Sequence, residues 1–511
     1  MSPAPRYAGR VPARALRLSL LSALAGCHDA PPSGPTLVTE FPEGWVATEP
    51  VACAAPVAPA WRDAAANPRS WGPPEVEEHA VIEPGAVAVV PRSDGWRVYW
   101  APPEAPAEAF DLATGGVELQ GIGATVSGFS AGDLDGDGRT DLVVAGKAPC
   151  VVWDAGGESP RVEAVPFERR MARMRDVALA DFDEDGDLDG VAVYTAPTDA
   201  DGVLVGDLLV NDGARRLRLT PIDEVPAGTW GPAFDATALD VDGDGHVDVL
   251  LCNDSPTDTQ RNAVIFGDGR GGFTRGADTG LEVGVDCMGA TAADADADGD
   301  LDVVLGETRR VVLLEQADAA WSDAGFARGL DPWSGTVMAF GVGAADLDND
   351  GGLDLVAPLS DFYTAESTPT HPVVRYSRGA DGGYTAVDGL PIEGAARAVV
   401  PVDLDGDGSL ELVLGDAFRS PWVVRRPGCV DGAWIAVEAP LNAVARVTAG
   451  GITRAALVTT ERSYASAGPA VAHVGLGDVD TVERLVLTLP DGEEVSIEGP
   501  FAPNRRFTYR P

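Results

Sequence analysis

The chain has 511 residues and carries 37 Lys plus Arg against 80 Asp plus Glu, a formal net charge of −43. That balance excludes a nucleic-acid partner, because a phosphate backbone needs a basic face. Apolar runs nowhere reach the roughly 20 residues of a membrane-spanning helix, and 61 glycines and 40 prolines beside few aromatics suit many short strands joined by turns.

At the N-terminus, Arg6, Arg10, Arg14 and Arg17 precede a short apolar run from Leu18 to Ala23, and Leu24-Ala25-Gly26-Cys27 follows. A basic stretch, a short apolar core and small residues read as an export signal rather than a spanning helix. The quartet resembles a bacterial lipobox. The resemblance implies cleavage before Cys27 and lipidation of its thiol; the alternative is an ordinary signal peptide with an incidental cysteine. His28 follows, not the Asp that holds many lipoproteins at the inner membrane. The expectation is therefore an exported protein at the outer membrane or cell surface, touching the membrane through its lipid anchor only. Residues 28–78 are rich in Pro, Ala and acids with no amphipathic period, and read as a tether.

Strand signals begin near residue 79. Ala86 to Val90 and Trp96 to Trp100 flank the turn Ser93-Asp94-Gly95, so 79–125 reads as one sheet-forming unit. Six units follow, each marked by D-x-D-x-D-G-x-x-[DE] and then a short branched apolar run such as Leu142-Val143-Val144 or Val303-Val304-Leu305. The copies start at Asp133, Asp181, Asp240, Asp294, Asp346 and Asp403, 48–59 residues apart. They are called loops 1 to 6 below. This spacing includes the periods of propeller blades. Six such units plus one without a loop predict an all-β, seven-bladed propeller over 79–429. The last unit reads as one strand short, to be completed by the early segment.

The loop chemistry is that of a hard cation. Carboxylates at positions 1, 3, 5 and 9 and a carbonyl at position 7 are the oxygen donors Ca²⁺ prefers, and Gly at position 6 permits the sharp turn. The expected ligands are Asp133, Asp135, Asp137, Arg139 and Asp141 in loop 1, and Asp181, Asp183, Asp185, Asp187 and Asp189 in loop 2. Loop 3 offers Asp240, Asp242, Asp244, His246 and Asp248; loop 4 offers Asp294, Asp296, Asp298, Asp300 and Asp302. Loop 5 offers Asp346, Asp348, Asp350, Gly352 and Asp354; loop 6 offers Asp403, Asp405, Asp407, Ser409 and Glu411. About six Ca²⁺ ions are expected, one per loop. These are not EF-hands: position 12, where an EF-hand places a bidentate Glu, holds Val144, Ala192, Leu251, Leu305, Ala357 and Leu414.

Loops of this form between strands resemble the FG-GAP or VCBS repeats of integrin-α-type propellers. Beyond 430 the pattern changes to Arg446-Val447-Thr448-Ala449-Gly450-Gly451, Arg462-Ser463-Tyr464-Ala465-Ser466, His473-Val474-Gly475-Leu476-Gly477-Asp478 and Leu489-Pro490-Asp491-Gly492. This order is similar to the ASPIC/UnbV module that follows FG-GAP propellers in the cartilage acidic protein family. It departs from that family at Leu489, where Trp is usual, and at Asn442-Ala443-Val444-Ala445, a reduced entry motif. Residues 430–511 are expected to form a small all-β domain packed on the propeller's end.

Six cysteines are present. With Cys27 assigned to lipid, Cys53, Cys150, Cys252, Cys287 and Cys429 remain. Cys252 and Cys287 fall on strands of adjacent units, and either pair or sit as two small buried residues. None has zinc-ligand spacing. The histidines at 28, 79, 246, 371 and 473 are scattered, with no H-E-x-x-H. No catalytic or nucleotide-binding residues are assigned. The leading expectation is a non-enzymatic, calcium-stabilised binding or adhesion lipoprotein with a protein or glycan ligand at the cell surface. The alternative is a polysaccharide-directed enzyme using the propeller's central funnel.

Overall fold

A computed structural model describes residues 37–52, 62–64 and, with short internal gaps, 85–510. The lipobox with Cys27, and Cys53, lie outside the described residues. The span Leu37–Pro511 forms one compact unit.

The protein is all-β. Among the described residues, seven antiparallel sheets follow one another along the chain. Their innermost strands are Val87–Arg92, Val126–Gly132, Arg173–Ala180, Ala233–Leu239, Gly289–Ala293, Gly343–Ala345 and Ala396–Val402. Each touches the next, and Ala396–Val402 touches Val87–Arg92, which closes the ring. In six sheets the carboxylate loop joins the innermost strand to the second. That second strand starts on the position-9 acid: Asp141–Gly146, Asp189–Thr195, Asp248–Asn253, Asp302–Gly306, Asp354–Ser360 and Glu411–Asp416. These strands are buried on both faces, so they read as continuous apolar runs rather than as alternation. One apolar cluster fills each seam between neighbouring sheets. The pair Cys252–Cys287 forms a disulfide across one seam, Cys429 is disulfide-bonded to a partner outside the described residues, and Cys150 is a free, buried thiol.

The segment expected to be a tether behaves otherwise where it is described. Arg62–Ala64 pairs with Trp422–Arg425 and supplies the outer strand that the last sheet lacks. Trp45–Ala47 pairs with Arg505–Tyr509 in the C-terminal domain. There Trp45 packs edge-on against Phe507, and Phe41 sits edge-on to Phe501 and Phe507. Three-residue strands separated by prolines give no periodic signal, so partners hundreds of residues away override the local composition.

The C-terminal domain is two four-stranded sheets around one core that includes Ile435, Val437, Val447, Leu485, Leu487, Ile497, Phe501 and Phe507. Its contact with the propeller goes beyond end-to-end packing. Residues 460–467 thread into the centre of the ring. Thr460 Oγ1 donates to the Ala131 carbonyl at 2.6 Å, and Phe129 N donates to the Ala465 carbonyl at 2.9 Å. Val342 N donates to Ser463 Oγ and Val87 N to Ser466 Oγ, both at 3.0 Å. Tyr464 is 2% exposed and meets Phe340 edge-on with ring centroids 5.1 Å apart.

Candidate metal centre

The six loops repeat one hydrogen-bonded scaffold. The position-1 carboxylate accepts backbone N–H groups from within its own loop. Asp133 takes Asp137 N and Gly138 N, Asp181 takes Asp185 N and Gly186 N, and Asp346 takes Asp350 N and Gly351 N. Gly138 at φ +81° and Gly186 at φ +97° allow the turn that points those N–H groups inward. The position-5 carboxylate caps the N–H of position 7 in every loop: Asp137, Asp185, Asp244, Asp298, Asp350 and Asp407 accept from Arg139, Asp187, His246, Asp300, Gly352 and Ser409. The position-9 acid is buried and ties the loop to the sheet; Asp141 accepts from Leu134 N and Asp154 N, and Asp248 from Val241 N and Gly267 N.

This scaffold gathers carboxylates. In loops 1 to 4 the acids at positions 1, 3 and 9 bring oxygens within 4.8 Å of one another; in loop 5 Asp346, Asp348 and Asp350 do so. In loop 6 Asp403, Asp405 and Asp407 crowd the buried Glu411. Several carboxylate oxygens of these loops are buried without a hydrogen-bond partner: Asp183 Oδ1, Asp296 Oδ1 and Asp348 Oδ1 from position 3, and Asp189 Oδ2 and Asp354 Oδ2 from position 9. Orphaned buried anionic oxygens demand a counter-ion, and a set made only of oxygens fits a hard divalent cation.

Electrostatics agree. Burial, reinforced by neighbouring carboxylates, pushes Asp141, Asp189, Asp248, Asp302 and Asp354 up to about 7, and Asp346 and Glu411 to about 8. A cation reverses that pressure by favouring the charged forms. Arginines already meet some of these acids: in loop 4 Arg328 pairs with Asp296 at 3.2 Å, and loop 1 has two such partners. Its Asp137 is ion-paired to Arg139 at 2.6 Å, and Arg215 pairs with Asp135 as well. The position-7 side chains do unrelated work: His246 Nδ1 lies 2.6 Å from Glu184 Oε1, and Ser409 Oγ accepts from Val430 N.

The C-terminal domain divides the loops into two arcs. Asp294, Asp346 and Asp403 of loops 4 to 6 are 6%, 5% and 9% exposed, beneath that domain. Ala455 N donates to Asp294 Oδ2 at 2.8 Å, Arg446 Nε to the Gly299 carbonyl at 3.0 Å and Arg454 Nε to the Gly351 carbonyl at 2.8 Å. Asn349, buried in loop 5, bonds His473 Nε2 through its Oδ1 and donates to the Gly408 carbonyl of loop 6. His473 stacks on Trp434, and burial, with a smaller effect of the Arg506 charge, pushes it down to about 4. In loops 1 to 3, Asp133 and Asp181 are half-buried and Asp240 is exposed. Arg446 and His473 fall in C-terminal motifs visible in the sequence, but nothing local marks their contact with loops so far away in the chain.

One pattern outside the sequence candidates is Gly128-Phe129-Ser130-Ala131-Gly132, formally G-x-S-x-G. Ser130 sits inside the strand Val126–Gly132, not on a strand-to-helix turn, and its Oγ lies 3.4 Å from Asp176 Oδ1. It is a buried structural serine.

Comparisons with known proteins bear on this arrangement. A family model described as FG-GAP-like repeat matches residues 133–192 and 240–305, which span loops 1 to 4, and one described as ASPIC and UnbV matches 438–510. The chain carries FG-GAP-like repeats and an ASPIC and UnbV domain. Loops 5 and 6 lie outside the matched FG-GAP segments yet keep the same carboxylate spacing. Cartilage acidic protein 1 of Mus musculus is 26% identical over 336 residues, covering 61% of this chain and 49% of that relative. The chain thus spans about half the length of this relative. Among solved structures, BBS1N in complex with ARL6DN covers 73% of this chain and 100% of its own at 12% identity and TM-score 0.46. Virginiamycin B lyase from Staphylococcus aureus covers 68% and 97% at 9% identity and TM-score 0.42. Likenesses at that level carry no functional argument.

Proposed function

We propose that this chain is an exported, lipid-anchored module in which Ca²⁺ fixes the shape of a propeller that binds a protein or glycan at the cell surface. The observation that carries the reading is the repeated carboxylate cluster with buried, unpartnered oxygens. A divalent cation would be held by positions 1, 3 and 9 of loops 1 to 4, where position 5 orients the turn, and by Asp346, Asp348 and Asp350 of loop 5. The name cartilage acidic protein 1, the FG-GAP-like repeats and the ASPIC and UnbV domain support a binding role of extracellular type. The polysaccharide-directed alternative needs an open central funnel, and residues 460–467 lie where that funnel would be. The acidic surface disfavours nucleic acid. Membrane attachment is assigned to Cys27; Cys27→Ser protein should lose its acyl chains and leave the membrane fraction.

The magnitude favours a structural role for the ion. Extracellular calcium modules bind at about 10⁻⁴–10⁻³ M. At roughly 1 mM Ca²⁺ the tighter value stabilises by about 1.4 kcal/mol per loop. Six loops approach about 8 kcal/mol, comparable with a domain's net stability of about 5–15 kcal/mol. Thermal melts with Ca²⁺ and with a chelator test this. The midpoint should fall steeply on chelation, and an unmoved midpoint would remove the calcium reading.

A further inference from the structure

We propose that cation loading of loops 4 to 6 and docking of the C-terminal domain are one linked equilibrium, from which loops 1 to 3 stand apart. The proposal rests on the calcium reading above and adds to it a partner for the ion-bound face: the chain's own C-terminal domain.

The docking contacts reach groups whose positions the ligand clusters set. In loop 4, Asp294 Oδ2 accepts both Gly299 N, which closes the loop, and Ala455 N, which docks the domain. The carbonyl of the same Gly299 takes Arg446 Nε. In loop 5, Gly351 donates its N–H to Asp346 and receives Arg454 on its carbonyl; the Asn349 carbonyl takes Gly477 N at 2.9 Å. In loop 6, Gly408 closes onto Asp403 and leaves its Cα face against the Trp434 indole, where even a Cβ would stand 1.9 Å from the ring. Asn349 locks loop 5 to loop 6 beneath His473.

Charge matches as well. Each of these loops carries at least four carboxylates, so one divalent ion leaves each net negative. Arg454 lies among Asp346, Asp294 and Asp350, and Arg506 is 3.9 Å from Asp403. Without an ion the carboxylates of a loop repel one another, the turn loosens and the docking groups move apart. The docked domain, in turn, holds the turns in ligand geometry, so each event strengthens the other by the same factor. Loops 1 and 2 border an open groove lined by Asp133, Gly138, Gly186 and, from the C-terminal domain, Leu441, which packs on the apolar cluster that includes Leu134 and Leu188. At loop 3 the backbone of the Asp491-Gly492 turn comes near Gly245.

The test is hydrogen exchange of the full chain across a series of free Ca²⁺ concentrations. In the wild type, peptides covering 294–302, 346–354 and 403–411 should gain protection at the same Ca²⁺ concentration as 444–457 and 472–477. Trp434→Ala removes the indole from Gly408 of loop 6 and from His473, the partner of Asn349 in loop 5, yet it should raise the Ca²⁺ needed to protect loop 4 by at least about fivefold, while 133–141, 181–189 and 240–248 stay unchanged. Arg446→Ala, at loop 4, should do the same to loop 6 and covers the case in which the tryptophan variant does not fold. Deprotection confined to loops 5 and 6 in Trp434→Ala and to loop 4 in Arg446→Ala, or an equal response of all six loops, overturns the linkage and leaves the calcium reading intact. Wild-type exchange that ignores Ca²⁺ everywhere overturns both.

Discussion

The seams between sheets and the centre of the ring are both buried, but their chemistry is opposite. Leu305, Val312 and Ile265 in the seams are 0% exposed and sit inside apolar clusters. At the centre stand Asp176, Asp235 and Glu461. The cause is geometric. Each innermost strand is a sheet edge, and its N–H groups point into the channel, where each buried donor needs an acceptor. Asp176 answers Ala236 N, Asp235 answers Ala290 N and Ala465 N, and Glu461 answers Leu179 N and Ala238 N. The inserted segment answers the rest: the Ala467 carbonyl takes Val89 N, and the Ala465 carbonyl takes Phe129 N. Seams therefore follow from side-chain volume, whereas the centre follows from backbone pairing, and the two should fail differently.

The largest single effect is expected at the centre. Tyr464→Ala removes a buried ring held against Phe340, and should cost about 3–5 kcal/mol in denaturant melts. Ser463, Tyr464 and Ala465 all sit at positive φ, 57°, 51° and 49°, a strained turn that persists only while its surroundings hold it. A loss below about 1 kcal/mol would mean that the centre is no better ordered than a surface loop. Next comes the seam bridge. Replacing Cys252 and Cys287 with Ala opens a disulfide between residues 35 apart, and should cost about 2–4 kcal/mol, read by the same melts in reduced and oxidised protein.

The pH response separates centre from seam without changing packing. Burial raises Glu461, Asp235 and Asp176, so the folded chain keeps protons that the unfolded chain releases above about pH 4. Stability from these groups is whole below that value and is lost as pH rises through their folded values. Glu461→Gln should flatten the decline above about pH 5, by up to about 1.4 kcal/mol per pH unit for one proton. Urea midpoints at saturating Ca²⁺ measure it; an unchanged slope would mean that Glu461 is ionised in the fold. His473 runs the other way. With its folded value pushed down to about 4, its contribution is present above its unfolded value of about 6.5 and is lost as pH falls towards 4.

The same division explains what the sequence disclosed. Seams were legible because Leu142-Val143-Val144 and Leu412-Val413-Leu414 bury both faces and advertise it locally. The loops were legible because their carboxylates recur at fixed spacing within nine positions, the pattern that holding a hard cation would require. The centre was not. Arg462 to Ser466 read as a resemblance motif, and nothing within it says that Ser463 meets Val342 or that Ala465 meets Asp235. Arg62–Ala64 was invisible for the same reason, since three residues of strand become strand only beside Trp422–Arg425.

The smallest effect should come from a seam methylene, and it provides the baseline for the others. Ile265 is fully buried in the seam between the sheets that begin with Arg173–Ala180 and Ala233–Leu239, and pairs with Val249 across its own sheet. Ile265→Val deletes one CH₂ from a site that relaxes only partly, so about 0.5–1.5 kcal/mol should be lost. That loss should be the same at pH 5 and pH 9, and the same with Ca²⁺ as with a chelator under which the chain still folds, because the substitution changes no charge and removes no carboxylate. Denaturant midpoints under the four conditions measure it. A loss that grew on chelation would mean that the loops hold the seams in register as well as the face above them, and the seam would then belong with the centre rather than stand against it.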